Sequence, residues 1–370
     1  MAACSSGGSD AKGAGNGTTA EGEGVAKAQE LVEKAIALPE FGLADAPKID
    51  LSAAAGKRIS IIPLSSENPY VMDILKSAKA VAEDHDVTVN VFENQGQPNQ
   101  WAQGIDQAVD NGDDAVVLLG GADPKLVVPQ LTRAKEAGLK IIVGHLYQSG
   151  DKPPAEVADL IDGYTTAPFT QAAELLADYA VAKSGESSRI LYLTSDEVAP
   201  AVSQKEAFQA EVKDLCDDCT VDVVNVPVTD WASKLATETQ SYLVANPDTD
   251  WVIPIYDSMV PPTISGINQA GKAAEVKVAS FNGTPSILKL IQDGTPLAAD
   301  IGESVDWLGY SVMDSVFRVF DTGEGLPGGD DKMPLRIFDE SNIDEAGTPP
   351  VATDGYGDAY VEGYAKLWTE

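Results

Sequence analysis

Cys216 and Cys219 form the one C-x-x-C motif of this 370-residue sequence. In a cytosolic protein this spacing suggests a thiol redox centre or half of a zinc site. Zinc would need two further ligands, and the only histidines, His85 and His145, lie far from the motif along the chain. In an oxidising compartment the spacing favours a short disulfide that closes a turn between a helix and a strand. We therefore predict a structural disulfide, no metal site and no cofactor.

The third cysteine, Cys4, follows Met1-Ala2-Ala3 and precedes a stretch rich in Gly and Ser. Small residues before a cysteine and polar ones after it resemble the end of a bacterial lipoprotein signal. The basic and apolar regions of such a signal do not precede Cys4, so the sequence looks cut just upstream of its processing site. The resemblance implies a lipid anchor on Cys4 and a flexible tether over residues 1–24. A flexible N-terminus that happens to contain a cysteine is the alternative.

Charge and missing motifs exclude several classes of protein. The 58 acidic and 25 basic residues give a formal charge of −33, which repels polyphosphate and argues against nucleic-acid binding. No run of 18 apolar residues is present, so nothing is expected to span a membrane. The sequence has no G-x-S-x-G elbow, P-loop, early G-x-G-x-x-G or H-E-x-x-H. We predict no catalytic residues; an enzyme would require His145, Asp257 and Glu303 to converge on a reactive bond.

Short β-branched runs alternate with amphipathic stretches from Arg58 onward, after a helical pattern at 25–38 that Pro39 ends. A first series of strands is predicted at 58–64, 87–93, 115–121 and 140–146, with helices at about 69–84, 97–111 and 123–138. A second series of strands is predicted at 189–195, 220–228, 251–257 and 276–282, with helices at about 200–215, 231–246 and 259–270. Because the strands are apolar on both faces, this alternation predicts an α/β protein with two similar doubly wound parallel-sheet lobes.

Polar and aromatic residues follow most of these strands. In open α/β sheets, ligands bind beyond the carboxyl ends of the strands, so these residues are the candidates for ligand contact. They are Asn68, Tyr70, His145, Tyr147, Trp231, Tyr256, Asp257, Asn282 and Glu303. Three of them have an ordinary alternative role. His145 and Glu303 could be satisfied, hydrogen-bonded loop residues, and Trp231 could cap the following helix.

Four segments, in this order, resemble the ribose-binding family of type I periplasmic binding proteins, the receptors of ABC importers. They are 61–70 (ending Asn-Pro-Tyr), 107–119, 246–253 and 280–285 (Ser-Phe-Asn-Gly-Thr-Pro). In that family the chain crosses between the lobes three times, and the lobes close over the ligand by hinge motion. The resemblance implies lobe 1 at 56–163 plus 304–323, lobe 2 at 164–303 plus 324–345, an N-terminal helix and connector at 25–55, and a C-terminal extension at 346–370.

The family's aromatic and amide positions are partly kept. Asn68 and Tyr70 match the Asn and the first aromatic of the Asn-Pro-aromatic loop, and Trp231 matches an aromatic of the second lobe. Asn282 stands where the family usually has Asp, and Tyr256 stands where it has Asn. The resemblance therefore implies a site with aromatic walls that can pack on the apolar face of a ring.

The charged residues with which the family binds its ligands are replaced in this sequence. His145-Leu146 replaces the Asp-Arg pair that binds sugar hydroxyls, Val202 falls near the place of a second arginine, and Glu303 replaces a glutamine. Because an unmet buried donor or acceptor costs about 1–3 kcal/mol, such replacements change specificity. We expect a neutral or weakly basic ligand, flatter or more apolar than ribose.

These features together predict an extracytoplasmic receptor of an ABC importer for a small neutral sugar, sugar alcohol or derivative. We expect a monomer that contacts the cognate permease and touches the membrane only through its lipid. The alternative is a surface receptor, sensor or importer component for a small aromatic or other non-sugar ligand. A sugar-responsive repressor is excluded because residues 1–55 supply no basic helix-turn-helix.

Overall fold

The computed structural model describes residues 18–369 as two α/β lobes. The helices and strands in chain order are α1 (Thr18–Ile36), β1 (Ile49–Asp50), β2 (Arg58–Pro63), α2 (Pro69–Asp84), β3 (Thr88–Val91), α3 (Pro98–Asn111), β4 (Ala115–Leu119), α4 (Val128–Glu136), β5 (Lys140–Gln148), α5 (Ala155–Ala158), β6 (Gly163–Ala167), α6 (Phe169–Ser184), β7 (Arg189–Thr194), α7 (Ala201–Leu215), β8 (Thr220–Asn225), α8 (Trp231–Ala245), β9 (Trp251–Pro254), α9 (Val260–Gln269), β10 (Lys277–Asn282), α10 (Pro285–Gln292), β11 (Leu297–Glu303), α11 (Val305–Thr322), β12 (Leu335–Asp339), α12 (Ala359–Leu367) and β13 (Trp368–Thr369). Across these residues, no helix combines the length and apolarity needed to cross a membrane.

Each lobe is built on its own sheet. Lobe 1 has five parallel strands in the order β3-β2-β4-β5-β6, and lobe 2 has six in the order β12-β11-β10-β9-β7-β8. All pairs within these two sheets are parallel except β11 with β12, which is antiparallel. The predicted α/β class with two doubly wound sheets is confirmed, although the alternation in the sequence did not indicate β6 or β11 as strands.

The run of apolar residues in β2 shows why the strands have no polar face. Ile59 and Ile61 pack into the core beside α2 and α11, and Ile62 packs into a second core beside α3 and α4. All three side chains are fully buried, and each contributes about 1.5–3 kcal/mol relative to exposure. A strand with helices on both faces can therefore hold no alternation of polar and apolar residues.

Three segments of the core fold cross between the lobes. The chain passes from lobe 1 to lobe 2 between β6 and α6, returns between β11 and α11, and passes again through residues 323–334 to β12. Helix α11 then belongs to lobe 1, where it packs along α2. The crossovers place Pro168, Ser304 and the end of β11 at the junction of the lobes.

Both terminal segments also span the two lobes. Helix α1 packs on α6, α7 and β12 of lobe 2, whereas β1, which follows it, contacts α11 of lobe 1. At the other end, α12 packs on α11, and β13 pairs in parallel with β1. The connectors 37–48 and 347–358 thus join the lobes in addition to the three core crossovers.

The N-terminal helix is longer than the sequence pattern predicted. It begins at Thr18 rather than Val25 and ends at Ile36 rather than Leu38, so residues 18–24 are not part of a tether. A side chain at Gly24 would overlap the main-chain carbonyl of Leu215, at the end of α7. The glycine that suggested flexibility instead allows two helices to approach closely. Cys4 and residues 1–17, where the lipid anchor and most of the tether were predicted, lie outside the described residues.

The C-x-x-C motif lies in the turn between α7 and β8. Cys216 and Cys219 form a disulfide there, with 5.4 Å between their Cα atoms. The buried Cys216 side chain packs with Ala28 of α1 and Val181 of α6. The disulfide therefore lies at the contact between α1 and lobe 2.

Candidate functional site

Three candidate residues from separate segments meet at the junction of the lobes. Tyr70 comes from the first turn of α2, His145 from β5 and Glu303 from the last position of β11. The Tyr70 hydroxyl donates to Oε2 of Glu303 at 2.7 Å, and Nε2 of His145 lies 2.9 Å from the same oxygen. The rings of Tyr70 and His145 meet edge to face, with centroids 5.7 Å apart. Lobe 1 thus contacts the carboxylate of lobe 2 through an aromatic hydroxyl and an imidazole.

The Glu303 carboxylate is fully enclosed. Its residue is 1% exposed, and its second oxygen, Oε1, is buried without a hydrogen-bond partner in the described part of the chain. An unpartnered buried carboxylate oxygen is costly, so a native protein normally satisfies it with water, an ion or a ligand donor. Glu303 can therefore accept a hydrogen bond from a molecule between the lobes.

Electrostatics hold this cluster in a defined protonation state. Burial lowers the pKa of His145, but the negative charge and hydrogen bond of Glu303 more than offset it, so the pKa is raised above 6.5. Burial and the charge of Glu303 raise the pKa of Tyr70 well above 10. Tyr70 therefore keeps its proton and donates to Glu303 throughout the physiological pH range.

The backbone at His145 is strained. Its φ of 55° lies in the left-handed region, which is rare for residues other than glycine. The backbone N–H of His145 donates to Oγ1 of Thr165 at 3.0 Å, and its ring packs edge-on against Phe169, which begins α6. This strain turns the imidazole toward the crossover, and such strained residues concentrate at functional sites.

Asp257 lies beneath a loop of lobe 2. It is 2% exposed, and its two oxygens accept hydrogen bonds from Oγ of Ser280 and the backbone N–H of Thr284, both at 2.7 Å. Burial raises the pKa of Asp257, and burial together with the charge of Asp257 raises that of Asp300 well above its usual value. Two adjacent buried carboxylates do not both ionise readily, which is why the pKa of Asp300 is raised so far. The pair supports the backbone of 282–284.

Two further candidates lie at strand ends of lobe 2. The Tyr256 hydroxyl donates to Oε1 of Gln204 at 2.8 Å, which fixes its ring against Phe281. Asn282, at the end of β10, has a φ of 149°, and its side-chain amide has no hydrogen bond to the residues that the structure describes. The Asn282 amide is therefore available to a ligand.

The remaining candidates already serve the local structure. Asn68 caps α2, since its Oδ1 accepts from the Val71 N–H at 3.3 Å. The Trp231 indole N–H donates to Oγ of Ser195 at 2.7 Å and to the Val226 carbonyl at 3.0 Å. Only the faces of the Trp231 ring therefore remain for a ligand.

Tyr147 follows His145 on β5 but does not contact Glu303. Its ring packs edge-on against Tyr164, and its hydroxyl is buried without a partner among the described residues. Burial, with a smaller effect of Asp123, raises the pKa of Tyr147 above its usual value. A ligand acceptor near this hydroxyl would satisfy it.

Several residues of the site were missed by the sequence analysis. Phe169 begins α6, Gln204 is buried one helical turn into α7, and Asp300 and Tyr356 lie beside the Asp257 loop. Gln204 could have been found, because it lies two residues after Val202, which falls near the place of the family's second arginine. Tyr356 belongs to an aromatic-rich C-terminal end that is expected only to pack against a lobe, because it lies outside the motifs.

The arrangement is suited to binding hydroxyl groups. It offers Glu303 as an acceptor, the Asn282 amide as donor and acceptor, and the rings of Tyr70, Tyr256 and Trp231 as apolar surfaces. Within residues 18–369 there is no group of three or more His, Cys, Asp or Glu side chains that could hold a metal ion.

Comparisons with known proteins agree on one family. The sequence model of the periplasmic binding protein domain matches residues 59–324. A D-ribose/D-allose-binding protein of Pseudomonas aeruginosa is 23% identical over 248 residues, which are 65% of this chain and 75% of that protein.

Two solved structures share the fold at low identity. A periplasmic ribose ABC transporter protein of Conexibacter woesei has a TM-score of 0.69 at 18% identity, covering 80% of this chain and 96% of its own. A solute-binding protein of Bacillus halodurans with bound myo-inositol has a TM-score of 0.66 at 16% identity, covering 80% and 99%.

Proposed function

This chain belongs to the periplasmic binding protein domain family, and we propose that it is the ligand-capturing receptor of an ABC importer. Members of the family are extracytoplasmic receptors for solutes, and the relatives described above bind ribose, allose or myo-inositol. We propose that the ligand here is a small neutral sugar or sugar alcohol, enclosed between the lobes and released unchanged to a permease.

The buried cluster of Tyr70, His145 and Glu303 is the observation that carries this proposal. The cluster joins the lobes at a crossover, and Oε1 of Glu303 is left without a protein donor. A hydroxyl group of a neutral ligand can donate a hydrogen bond to Oε1. Because this oxygen lies at the junction of the lobes, the hydroxyl reaches it only when the lobes enclose the ligand. A sugar alcohol or sugar has enough hydroxyls to reach Asn282 at the same time.

The charge around the cluster favours neutral over anionic ligands. Among the described residues, no lysine or arginine pairs with Glu303 or Asp257. The two buried arginines of the described chain are engaged elsewhere, Arg318 with Asp314 and Arg336 with Glu345. An acidic sugar would place a second carboxylate near Glu303, whose one ion-pair partner in the described chain is His145, with no lysine or arginine there to compensate it, which is unfavourable in a buried site.

Lipid attachment at Cys4 is part of the proposal. The motif around Cys4 supports it, and an anchored receptor is held next to its permease. In the producing cell, Cys4→Ser should move the protein from the detergent phase to the aqueous phase in a Triton X-114 partition. Equal partitioning of both proteins would contradict the anchor.

A thermal-shift panel tests the ligand class. The panel contains D-ribose, D-allose, allitol and myo-inositol as neutral probes, D-glucuronate as an acidic probe and nicotinamide as an aromatic probe. A ligand at a hundredfold excess over its Kd stabilises the fold by about 2.7 kcal/mol, which raises the Tm measurably. We expect a neutral sugar or polyol to raise the Tm and glucuronate to leave it unchanged.

Three other outcomes would contradict the proposal. A shift by glucuronate alone would mean that the missing arginines do not govern specificity. A shift by nicotinamide alone would favour a receptor for aromatic ligands. Conversion of a probe to another compound, seen by mass spectrometry, would indicate an enzyme.

A further inference from the structure

The C-terminal segment from Glu340 to Thr369 lies outside the part of the chain that matches the family, which ends at residue 324. It begins beside α10 in lobe 2, through a helical turn at 343–346, and ends in lobe 1 as α12 and β13. The chain between these two attachments passes the carboxyl ends of β10 and β11, at Gly283 and Gly302. This path brings Tyr356 into lobe 2.

Tyr356 fills a space that two glycines leave open. It is 2% exposed, and its ring meets Phe338 edge to face at 5.2 Å. A Cβ on Gly283 would lie 2.5 Å from the Tyr356 hydroxyl, and a Cβ on Gly302 would lie closer still. Neither position tolerates a side chain while Tyr356 is in place.

These glycines adjoin two candidate ligand contacts. Asn282 precedes Gly283, and Glu303 follows Gly302. Asn282 and Gly302 are also paired across β10 and β11, so the hydroxyl rests against both strands of one ladder. The φ of Asn282, 149°, is positive, which is rare for a residue other than glycine and needs support from its surroundings.

Three buried polar groups at or near Tyr356 lack hydrogen-bond partners in the part of the chain that the structure describes. The Tyr356 hydroxyl, Oδ2 of Asp300 and Oε1 of Glu303 are all buried without partners among the described residues. Burial, then the negative charges of Asp300 and Glu303, raise the pKa of Tyr356 well above its usual range. The hydroxyl therefore stays protonated beside the acidic groups that support the site.

We propose that Tyr356 is a positioning residue of the ligand site, which holds the backbone of Asn282–Gly283 and Gly302–Glu303 in the binding geometry. The C-terminal segment then contributes to ligand binding by supporting the backbone of the site. This inference rests on the proposed function, because it assigns the segment to the site where the sugar or polyol binds.

The test compares Tyr356→Phe with Tyr364→Phe in the full-length chain. Both tyrosines are fully buried with unpartnered hydroxyls, but Tyr364 lies on α12 in lobe 1, stacked on Trp368. Loss of an unpartnered hydroxyl breaks no hydrogen bond to the described residues in either variant, so the two stabilities should change by similar, small amounts. A displacement of a few tenths of an ångström at the site should weaken binding about three- to tenfold in Tyr356→Phe alone. Calorimetric titration with D-allose and myo-inositol measures the Kd.

A second readout needs no ligand. His145 is one of two histidines, and its ring signals in the NMR spectrum report the position of the Glu303 carboxylate 2.9 Å away. We expect the His145 signals to move in Tyr356→Phe and not in Tyr364→Phe. The signals of His85, which packs against Phe317 and Trp368, report any general disturbance.

The outcomes separate the two proposals. Unchanged His145 signals in Tyr356→Phe, or equal weakening of binding in both variants, would overturn the positioning role. If the His145 signals move but neither D-allose nor myo-inositol binds the parent chain, the ligand class is wrong and the positioning contact stands. The expected result is a change of both readouts in Tyr356→Phe alone.

Discussion

Replacing Glu303 by glutamine should remove the charge that raises the pKa of His145. The substitution preserves the size of the side chain and an acceptor for the Tyr70 hydroxyl, which lies 2.7 Å from Oε2. It removes the negative charge that faces Nε2 of His145 at 2.9 Å inside a site that is almost completely buried. Without that charge, burial is opposed only by the smaller effects of Asp331 and a backbone hydrogen bond, so we expect the pKa of His145 to fall.

The sign of the effect on stability follows from the raised pKa of His145. A histidine whose pKa is raised on folding stabilises the protein fully below its unfolded pKa, near 6.5. That contribution is lost as the pH rises through the folded pKa. Glu303→Gln should therefore lower the free energy of unfolding by about 3 kcal/mol at pH 5.5, as expected for a broken buried pair. The loss should shrink to about 1 kcal/mol at pH 9, where only a hydrogen bond differs.

Urea denaturation at pH 5.5 and pH 9 measures this difference, and NMR titration follows the imidazole of His145 directly. Glu340→Gln is a matched control, because Glu340 is an exposed carboxylate of lobe 2 at the end of β12. An equal loss of stability at both pH values would refute the reasoning. So would a His145 pKa in Glu303→Gln that is no lower than in the parent protein.

Three further predictions concern the scaffold. Replacing Cys216 and Cys219 by serine should lower the free energy of unfolding by about 2 kcal/mol, because the disulfide closes a very short loop. Equal urea midpoints for the parent protein and the double variant would contradict this. Burial raises the pKa of Asp178 to about 7, so the native state resists its ionisation and loses stability as the pH rises from 4 to 7. The Tm advantage of Asp178→Asn over the parent should therefore grow between pH 5 and pH 8, and a constant difference would refute this assignment. Because the net charge is −33, the Tm should rise with NaCl from 0.05 to 1 M; a fall would show that self-repulsion does not limit stability.

Most strands of the two lobe sheets could be predicted from their apolar runs, but β6 and β11 could not. β6 consists of Gly, Tyr, Thr and Ala, and β11 carries Asp300, Gly302 and Glu303 among its seven residues. In β11 the polar residues are buried because they belong to the site, so the strand has no apolar signature. The residues of the candidate site thus remove the apolar pattern by which the strand would have been predicted.

The positions of the candidate site residues were predictable, whereas their partners were not. Placing candidates after strand ends identified Tyr70 and His145, because ligand sites of open sheets occur there. The family resemblance singled out Glu303, which stands in place of a glutamine. The hydrogen bond between Tyr70 and Glu303 joins residues 233 positions apart, and it depends on how the crossovers place the two lobes. Tyr356 could not be predicted, since its contacts with two glycines exist only after the C-terminal segment has packed on lobe 2.

The N-terminal helix α1 was predicted too short. Gly22 and Gly24 lower the helix propensity of 18–24, which favoured a flexible segment. Packing of α1 on α6 and α7 overrides that propensity, and Gly24 is the residue that makes the close contact with the end of α7. Tertiary contacts of this kind are not visible in a local pattern.

The proposed function requires stoichiometric capture of a neutral polyhydroxy ligand at Glu303. Isothermal titration calorimetry of the parent chain with the best neutral sugar or polyol of the panel tests it most directly, with Glu303→Gln as the paired titration. We predict one molecule bound per chain, weaker binding by Glu303→Gln, and recovery of the ligand unchanged. Absence of binding by every neutral sugar and polyol, or identical Kd values for the two proteins, would contradict the claim.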